Sequence, residues 1–179
     1  MVKKLYKFFG YSLVFILALM YFVPKVSLYY FLETKLDQFA VVISSEEVLD
    51  KGFTLKIKHA DLYYKSIQSA NIQESNIKLF VLYNAVDFQN ITLSSAAKFF
   101  VPLHVKNINI KYTMFDPLYI KADVEGEFGK ANVRFSIFDK TLHLKLLPSE
   151  LMLKSYVNTL KNMSKNEKGE YIYDKTIKL

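Results

Sequence analysis

The segment LYIKADVEGEFGKANVRF, residues 118–135, decides the class of fold because its apolar residues recur at every second position. They stand on both sides of a turn region at 126–129: Leu118, Ile120, Ala122 and Val124, then Val133 and Phe135. A period of two is typical of a β-strand that buries one face and leaves the other in water. The segment therefore predicts two antiparallel strands joined by a short turn.

The same period continues on both sides of this segment. Leu142, Leu144 and Leu146 predict a third strand, so that residues 118–146 form a meander. Earlier runs predict strands at 53–58, 67–73, 76–83, 86–93 and 103–112, with a bulge near His59, where the alternation slips. The unbroken apolar run at 79–82 predicts a strand that is covered on both faces.

Helical signals accompany the strands. Residues 94–100 predict a helical turn, and Pro148-Ser149-Glu150 opens a helix over 149–162 with Ser149 as its N-cap. We expect this helix to cover the sheet and residues 165–179 to return as a last strand or an extended tail. Residues 25–40 predict another helix, whose apolar stripe docks on the domain or on a partner. The stripe contains Leu28, Phe31, Leu32, Lys35, Leu36 and Phe39.

The N-terminal stretch LYKFFGYSLVFILALMYFV, residues 5–23, predicts a membrane span. Sixteen residues after Lys7 carry no charge, and flanking lysines let a helix of this length cross a hydrocarbon core of about 30 Å. A cleaved signal peptide is the alternative, but such signals end in small residues, whereas this stretch ends in Tyr21, Phe22 and Val23. A retained anchor is therefore favoured over cleavage and over a buried core helix.

Charge and composition narrow the location and the partners. The lysines at 3, 4 and 7 place the N-terminus in the cytoplasm by the positive-inside rule. The first 25 residues hold four lysines and no acid, so the rest of the chain carries a net charge of 7 − 4 = +3.

A single arginine, Arg134, argues against nucleic acid as a partner. Cysteine is absent, so neither disulfides nor thiolate metal sites are expected. The Lys-, Asn- and Phe-rich composition favours a bacterial inner-membrane protein that faces the periplasm.

The predicted organisation has five parts: a cytoplasmic N-terminus at 1–7, a transmembrane anchor at 8–24, a juxtamembrane helix at 25–40, a periplasmic β-rich domain at 41–164 and a C-terminal strand or tail at 165–179. The fold class is a single transmembrane helix followed by a mainly-β domain, with a curved antiparallel sheet and one C-terminal covering helix.

No common catalytic signature is present, so the sequence predicts a protein that is not an enzyme and that uses no cofactor or metal. The histidines at 59, 104 and 143 are interpreted as solvated sheet residues rather than metal ligands. Asp123, Glu125 and Glu127 form a carboxylate row, for which salt bridges to Lys121, Lys130 and Lys140 are favoured over a cation site.

Aromatic residues are abundant, with 13 Tyr and 15 Phe. Tyrosine combines flat apolar area with a polar group, which suits interfaces. The equally weighted alternative is that aromatic residues simply fill strand faces in an AT-rich genome. The candidate partner interface consists of Tyr29, Tyr30, Phe31, Tyr63, Tyr64, Tyr171 and Tyr173.

The order of the segments YYFLETKLDQF, GFTLKIKHADLYY, PLYIKADVEGEFG, LLPSELMLKSYV and GEYIY after one span resembles the type II secretion system protein N group and its AsmA-like relatives. The resemblance implies a bitopic inner-membrane protein with a curved periplasmic β-sheet and no catalytic residues.

Two hypotheses follow. The first is an assembly part of a large envelope machine, such as a secretion system or the periplasmic scaffold of a flagellar motor, with other envelope proteins as partners. The second is a lipid-handling module that holds acyl chains on the apolar face of the sheet. The first is preferred because a small domain needs its apolar face for its own core. The helix that begins near Ser149 discriminates between the two hypotheses, because a helix that covers the whole apolar face would leave no groove for acyl chains.

Overall fold

The computed structural model describes residues 2–80 and 82–177. The helices are α1 (Val2–Phe22), α2 (Lys25–Asp37), α3 (Glu150–Ser155) and α4 (Val157–Leu160), with a 3-10 turn at Ser95–Phe99. The strands are β1 (Val41–Ser44), β2 (Glu47–Asp50), β3 (Thr54–Tyr64), β4 (Ile67–Leu79), β5 (Tyr83–Leu93), β6 (His104–Thr113), β7 (Tyr119–Gly126), β8 (Gly129–Ser136), β9 (Thr141–Pro148), β10 (Ser164–Lys165) and β11 (Tyr171–Thr176).

All the described strands form one antiparallel sheet, in the order β1-β3-β4-β5-β6-β7-β8-β9-β11-β10. β2 also pairs with β3, so β1 and β2 lie end to end along the same edge of that strand. The prediction of a mainly antiparallel β-sheet with an N-terminal apolar helix and C-terminal helical structure is confirmed. The predicted meander at 118–146 corresponds to β7, β8 and β9.

A line of backbone irregularities crosses β3, β4, β5 and β6. His59, Gln73, Asn90 and Lys106 lie opposite one another and are left out of the strand pairing. His59 and Asn90 have positive φ angles of 56° and 51°, in the left-handed region that asparagine tolerates better than most residues. Ser45, between β1 and β2, has a φ of 64° and continues the line to the sheet edge. We call these five residues the reversal line.

In each of these strands the residues that face the apolar side change parity at the reversal line. Where odd-numbered residues face it on one side of the line, even-numbered residues face it on the other. In β3 the apolar side chains are Leu55 and Ile57 before the line and Ala60 after it, and all three pack in one cluster. In β5, Phe88 and Ile91 likewise contact the same cluster from opposite sides of the line. The exchange keeps one apolar face continuous along strands whose sequence changes phase. The predicted irregularity near His59 is present, and the register of β3 against β4 shifts again at Leu62/Tyr63.

α1 is the long apolar helix. Its segment Lys3–Phe22 has the length and hydropathy needed to cross a membrane, and a signal sequence would meet the same criterion. At the C-terminal end of α1, the Nζ of Lys25 donates hydrogen bonds to three carbonyl oxygens: Met20 at 3.0 Å, Tyr21 at 3.2 Å and Val23 at 3.2 Å. Lys25 is fully buried. Its charge therefore satisfies the Met20 and Tyr21 carbonyls, which the helix end leaves without backbone partners, and adds a second donor to Val23.

α2 packs across β1, β2 and β3. Tyr29 and Val26 face the sheet, where Tyr29 is buried beside Leu55 and Ile57. Within the described chain the Tyr29 hydroxyl makes no hydrogen bond of normal geometry. Burial, followed by the negative charges of Glu46 and Glu33, raises its pKa. The helix is thus fixed to the sheet mainly by apolar contact.

The C-terminal helix is shorter than predicted. Ser149 is the N-cap, as expected, and its Oγ accepts a hydrogen bond from the Met152 amide at 3.2 Å. The helix predicted over 149–162 is interrupted at Tyr156, whose φ of −123° separates α3 from α4. Val157, Asn158 and Thr159 are weak helix formers, and the Thr159 hydroxyl donates to the Phe100 carbonyl at 2.6 Å. The chain therefore turns toward the β5–β6 connection.

Two strand predictions are corrected. The runs at 67–73 and 76–83 belong largely to one strand, β4, which ends at Leu79. The apolar run at 79–82 is not a strand covered on both faces. It holds the end of β4 and the β4–β5 turn, in which Leu82 is exposed, while Val81 lies outside the described residues. An apolar run does not by itself distinguish a buried strand from an apolar hairpin tip.

Candidate functional site

The apolar face of the sheet is buried at one end and half-open at the other. Apart from Leu55 and Ile57, which lie under α2, its buried apolar residues lie beyond the reversal line or beside it: Ala60, Ala70, Ile91, Val105, Ala131 and Leu146. Toward the opposite end, in β5 to β9, the same face carries side chains that are only half-buried: Val86, Phe88, Ile108, Ile110, Ala122, Val133, Phe135, Leu142 and Leu144. The apolar face is therefore covered unevenly along its strands.

Two helical covers explain this distribution. α2 covers the face at β1 to β3, where Leu55 and Ile57 are buried. α3 and α4 cover the other side at the buried end, where Met152 and Leu160 pack on Ala131 and Leu146. The half-buried residues of β5 to β8 lie between these covers. We call this region the apolar strip and define it by Val86, Phe88, Ile108, Ile110, Ala122, Val133 and Phe135.

A cavity of about 440 Å³ lies where the strip meets α3 and α4. Its lining is almost entirely apolar and includes Val124, Val133, Leu144, Met152 and Met163. Thr159, Asn162 and Tyr173 contribute the polar groups. A concave, mostly apolar cavity of this size is typical of small-molecule sites in proteins. The helical segment after Ser149 therefore covers part of the apolar face and leaves this cavity open beside it.

The opposite face of the sheet is polar. Asparagine and acidic residues alternate across adjacent strands: Asn76, Asp87, Asn109, Asp123 and Asn132. The Nδ2 of Asn132 donates to Asp123 at 2.7 Å, and Asn109 donates to Asp87. Cross-strand polar pairs of this kind stabilise a solvated sheet face. The two faces therefore have opposite chemistry, and only one suits an apolar ligand.

The carboxylates on the polar face form ion pairs, with partners that differ from the predicted ones. Asp123 pairs with Lys111 at 3.1 Å and Glu125 with Lys106 at 3.9 Å. Hydrogen bonds from Lys111 and Asn132 lower the pKa of Asp123. Lys121 instead pairs with Asp116 at 2.6 Å, and Glu127 lies in the β7–β8 turn.

The three histidines lie on separate strands or at the reversal line. His143 Nδ1 is 2.6 Å from an Asp174 carboxylate oxygen. Among residues 2–80 and 82–177, no group of three or more His, Cys, Asp or Glu side chains could hold a metal ion.

The seven predicted interface residues occupy three separate regions. Tyr29 is 6% exposed and belongs to the core, whereas Tyr30 and Phe31, on the outer side of α2, are 48% and 58% exposed. Tyr63 and Tyr64 end β3 and pair with β1. Tyr171 and Tyr173 lie on the apolar face in β11, where Tyr173 lines the cavity. The structure does not bring these residues together into one surface.

No family model, curated protein or solved structure matches this chain. The fold and the site define an antiparallel sheet with one polar and one half-open apolar face, joined to an N-terminal apolar helix.

The residues that form the cavity were not predicted as site residues, apart from Tyr173. Alternation indicated that Val124, Val133 and Leu144 share one face, but it carries no information about which part of that face a helix covers. The available signal was the length of the helix predicted over 149–162, because one helix of that length cannot cover a sheet of this width.

Proposed function

We propose that this chain is a membrane-anchored, non-enzymatic module that holds acyl chains of lipids on the apolar face of its sheet. α1 is the anchor, with the N-terminus in the cytoplasm and the sheet in the bacterial periplasm. The observation that carries the proposal is the apolar strip, which is half-open to solvent and continuous with the apolar cavity of about 440 Å³.

The physical reason is the cost of leaving this face in water. Burying apolar surface contributes roughly 25 cal/mol per Å², so an uncovered row of Val, Ile and Phe side chains favours an apolar occupant. An acyl chain suits the strip because it is narrow, flexible and requires no polar partners. Headgroup contacts come from the edge of the cavity, where Asn162 supplies hydrogen-bonding groups and the Thr159 hydroxyl, which donates to the Phe100 carbonyl, can still accept a hydrogen bond.

A pair of neighbouring residues in β9 provides a matched test. Leu144 lines the cavity, whereas Lys145 points to the polar face. We expect Leu144→Trp to fill the cavity and to lower the amount of lipid that co-purifies with the gently extracted protein. Lys145→Trp adds the same ring to the other face and should leave the bound lipid unchanged. Native mass spectrometry of both variants measures the ratio of lipid to protein.

A photoactivatable phosphatidylglycerol, with the reactive group in its acyl chain, gives an independent readout. We expect crosslinks to residues of the apolar strip and the cavity. Wild-type protein that carries no lipid and crosslinks none would contradict the proposal. So would equal loss of lipid in the two variants while both remain folded by circular dichroism.

A second candidate function is supported by the outer face of α2. The stripe on this helix faces away from the sheet, and its apolar members are exposed: Leu28, Phe31, Leu32, Leu36 and Phe39. An uncovered apolar stripe on a short helix suits a groove on another protein. The corresponding function is an assembly part of an envelope machine, such as a secretion system or the periplasmic scaffold of a flagellar motor.

The two candidates separate in one experiment. We expect Tyr30→Ser combined with Phe31→Ser to release crosslinked partners in cells if α2 binds an envelope protein. These changes lie outside the core and should not unfold the sheet. Unchanged partners together with bound lipid would leave the acyl-chain function as the explanation of the fold.

A further inference from the structure

We propose that the hairpin tips beside the end of α1 form a lipid-contacting rim, which rests in the headgroup region of the bilayer that α1 crosses. The rim consists of Phe53, Leu82, Met114, Phe115, Leu118 and Phe138, all of them exposed. The inference rests on the membrane anchor of the proposed function and adds to it a second contact with the membrane, made by the sheet.

The first step is the position of the hairpin tips. Because successive strands are antiparallel, the β2–β3, β4–β5, β6–β7 and β8–β9 connections all lie at the same end of the sheet. Neighbouring tips are joined by backbone hydrogen bonds: the Met114 amide donates to the Leu82 carbonyl at 3.1 Å, and the Ile137 amide donates to the Leu118 carbonyl at 2.9 Å. The exposed apolar side chains therefore belong to one continuous edge.

The second step is the position of α1 relative to this edge. The ring of Tyr21, in the last turn of α1, packs edge-on against the ring of Phe53, with 5.4 Å between their centroids. The same tyrosine ring lies so close to Gly52 that a Cβ there would be 2.3 Å from it. The β2–β3 tip is thus in direct contact with the end of the helix that the proposal places at the membrane surface.

The third step concerns the occupant. The tips present large apolar and aromatic side chains, and Phe115 and Phe138 are each 83% exposed. Aromatic residues are favoured at the boundary between acyl chains and headgroups. A bilayer surface is the occupant that the contact with α1 favours, because the anchor holds the edge at that height. The apolar strip opens toward this rim, which gives acyl chains a direct route from the bilayer to the strip.

The absence of tryptophan from the chain allows a direct test, since each variant then carries one tryptophan. We would reconstitute full-length Phe115→Trp and Phe138→Trp into vesicles of phosphatidylcholine and phosphatidylglycerol, with or without bromine in the acyl chains near the headgroups. Phe99→Trp is the control, because Phe99 is 84% exposed and lies at the other end of the sheet. All three substitutions exchange one exposed aromatic ring for another.

We expect bromine to quench most of the fluorescence at positions 115 and 138 and little of it at position 99. Sedimentation of the vesicles after an alkaline wash tests the anchor separately. A protein that sediments but shows no quenching at either rim position overturns the rim and leaves the anchor intact. Blue-shifted emission without bromine quenching would show that protein, not lipid, covers the rim. Equal quenching at all three positions would show that the rim has no preference for the membrane. Either result overturns the inference. A protein that does not sediment contradicts anchor and rim together.

Discussion

The side chain of Lys25 connects α1, which has no buried residues in its apolar stretch, to α2, which packs on the sheet. Its ammonium group holds three carbonyl oxygens at the end of α1 while its own backbone begins α2. Replacing it by methionine keeps the volume of the side chain but removes every donor. The Met20 and Tyr21 carbonyls would then lose this donor, whereas Val23 would keep the hydrogen bond from the backbone amide of residue 25 at 2.8 Å. Hydrogen bonds to charged groups contribute about 1.5–3 kcal/mol.

We expect Lys25→Met to accelerate amide hydrogen exchange at residues 20–29 by about 30-fold, which corresponds to about 2 kcal/mol. Lys35→Met is the control, because Lys35 lies on the exposed side of α2 over the Phe31 ring. Equal exchange rates in the two variants would show that the carbonyls find other donors.

Two glycines with positive φ provide a second test at the scale of single residues. Gly129 has a φ of 114°, and a Cβ there would lie 2.2 Å from the Leu147 carbonyl oxygen. Gly169 has a φ of 79° but faces open space. We expect Gly169→Ala to lower the free energy of unfolding by about 1 kcal/mol, the cost of left-handed backbone. Gly129→Ala should cost about 3 kcal/mol or more, because the neighbouring backbone must also move.

Urea denaturation of the two full-length variants in detergent measures this difference. Similar losses at the two positions would mean that the β8–β9 pairing relaxes around the added methyl group.

At the scale of elements, β7 has the sharpest separation between its two faces. Val124 contacts two of the apolar clusters, whereas Glu125 points to the polar face and pairs with Lys106. We expect Val124→Asp to lower the free energy of unfolding by about 2–3 kcal/mol, since it places an unpaired charge among apolar side chains. Glu125→Gln should change it by about 0.5 kcal/mol or less. Thermal melting of both variants decides whether the phase of β7 is correct.

The strands were predictable where alternation is strict and local. β7, β8 and β9 follow directly from the alternation around Val124, Val133 and Leu144, and the Ser149 cap marked the start of α3. Alternation failed where pairing across the sheet determines the outcome. β4 remains one strand through its change of phase because β3 and β5 change at the same level. Which part of the apolar face stays uncovered was also unpredictable, since spacing does not reveal which helix packs on which strand.

At the scale of the whole molecule, the anchor that we propose for α1 raises the question of which side of the membrane would hold the sheet. We expect a reporter that is active only in the periplasm to be active when it is fused after residue 179. We base this expectation on the leading lysines at 3, 4 and 7, which favour a cytoplasmic N-terminus by the positive-inside rule. An inactive fusion, or a mature protein that begins near residue 25, would refute a retained anchor with this orientation. A fusion after residue 7, expected to be inactive, is the control.

The reversal line sets unusual limits on how the sequence can change in length. In an ordinary strand a lost residue is absorbed at the nearest turn, but His59 and Gln73 lie in the middle of β3 and β4, opposite one another. Deleting either residue alone would send the apolar side chains of half a strand to the polar face, since one residue of slip exchanges the faces. Deleting one residue from each of two neighbouring strands would preserve their register against each other, but the apolar side chains beyond the deletions would still point to the polar face in both strands. Insertions and deletions in a lineage of such chains should therefore accumulate in the hairpin connections and avoid this line.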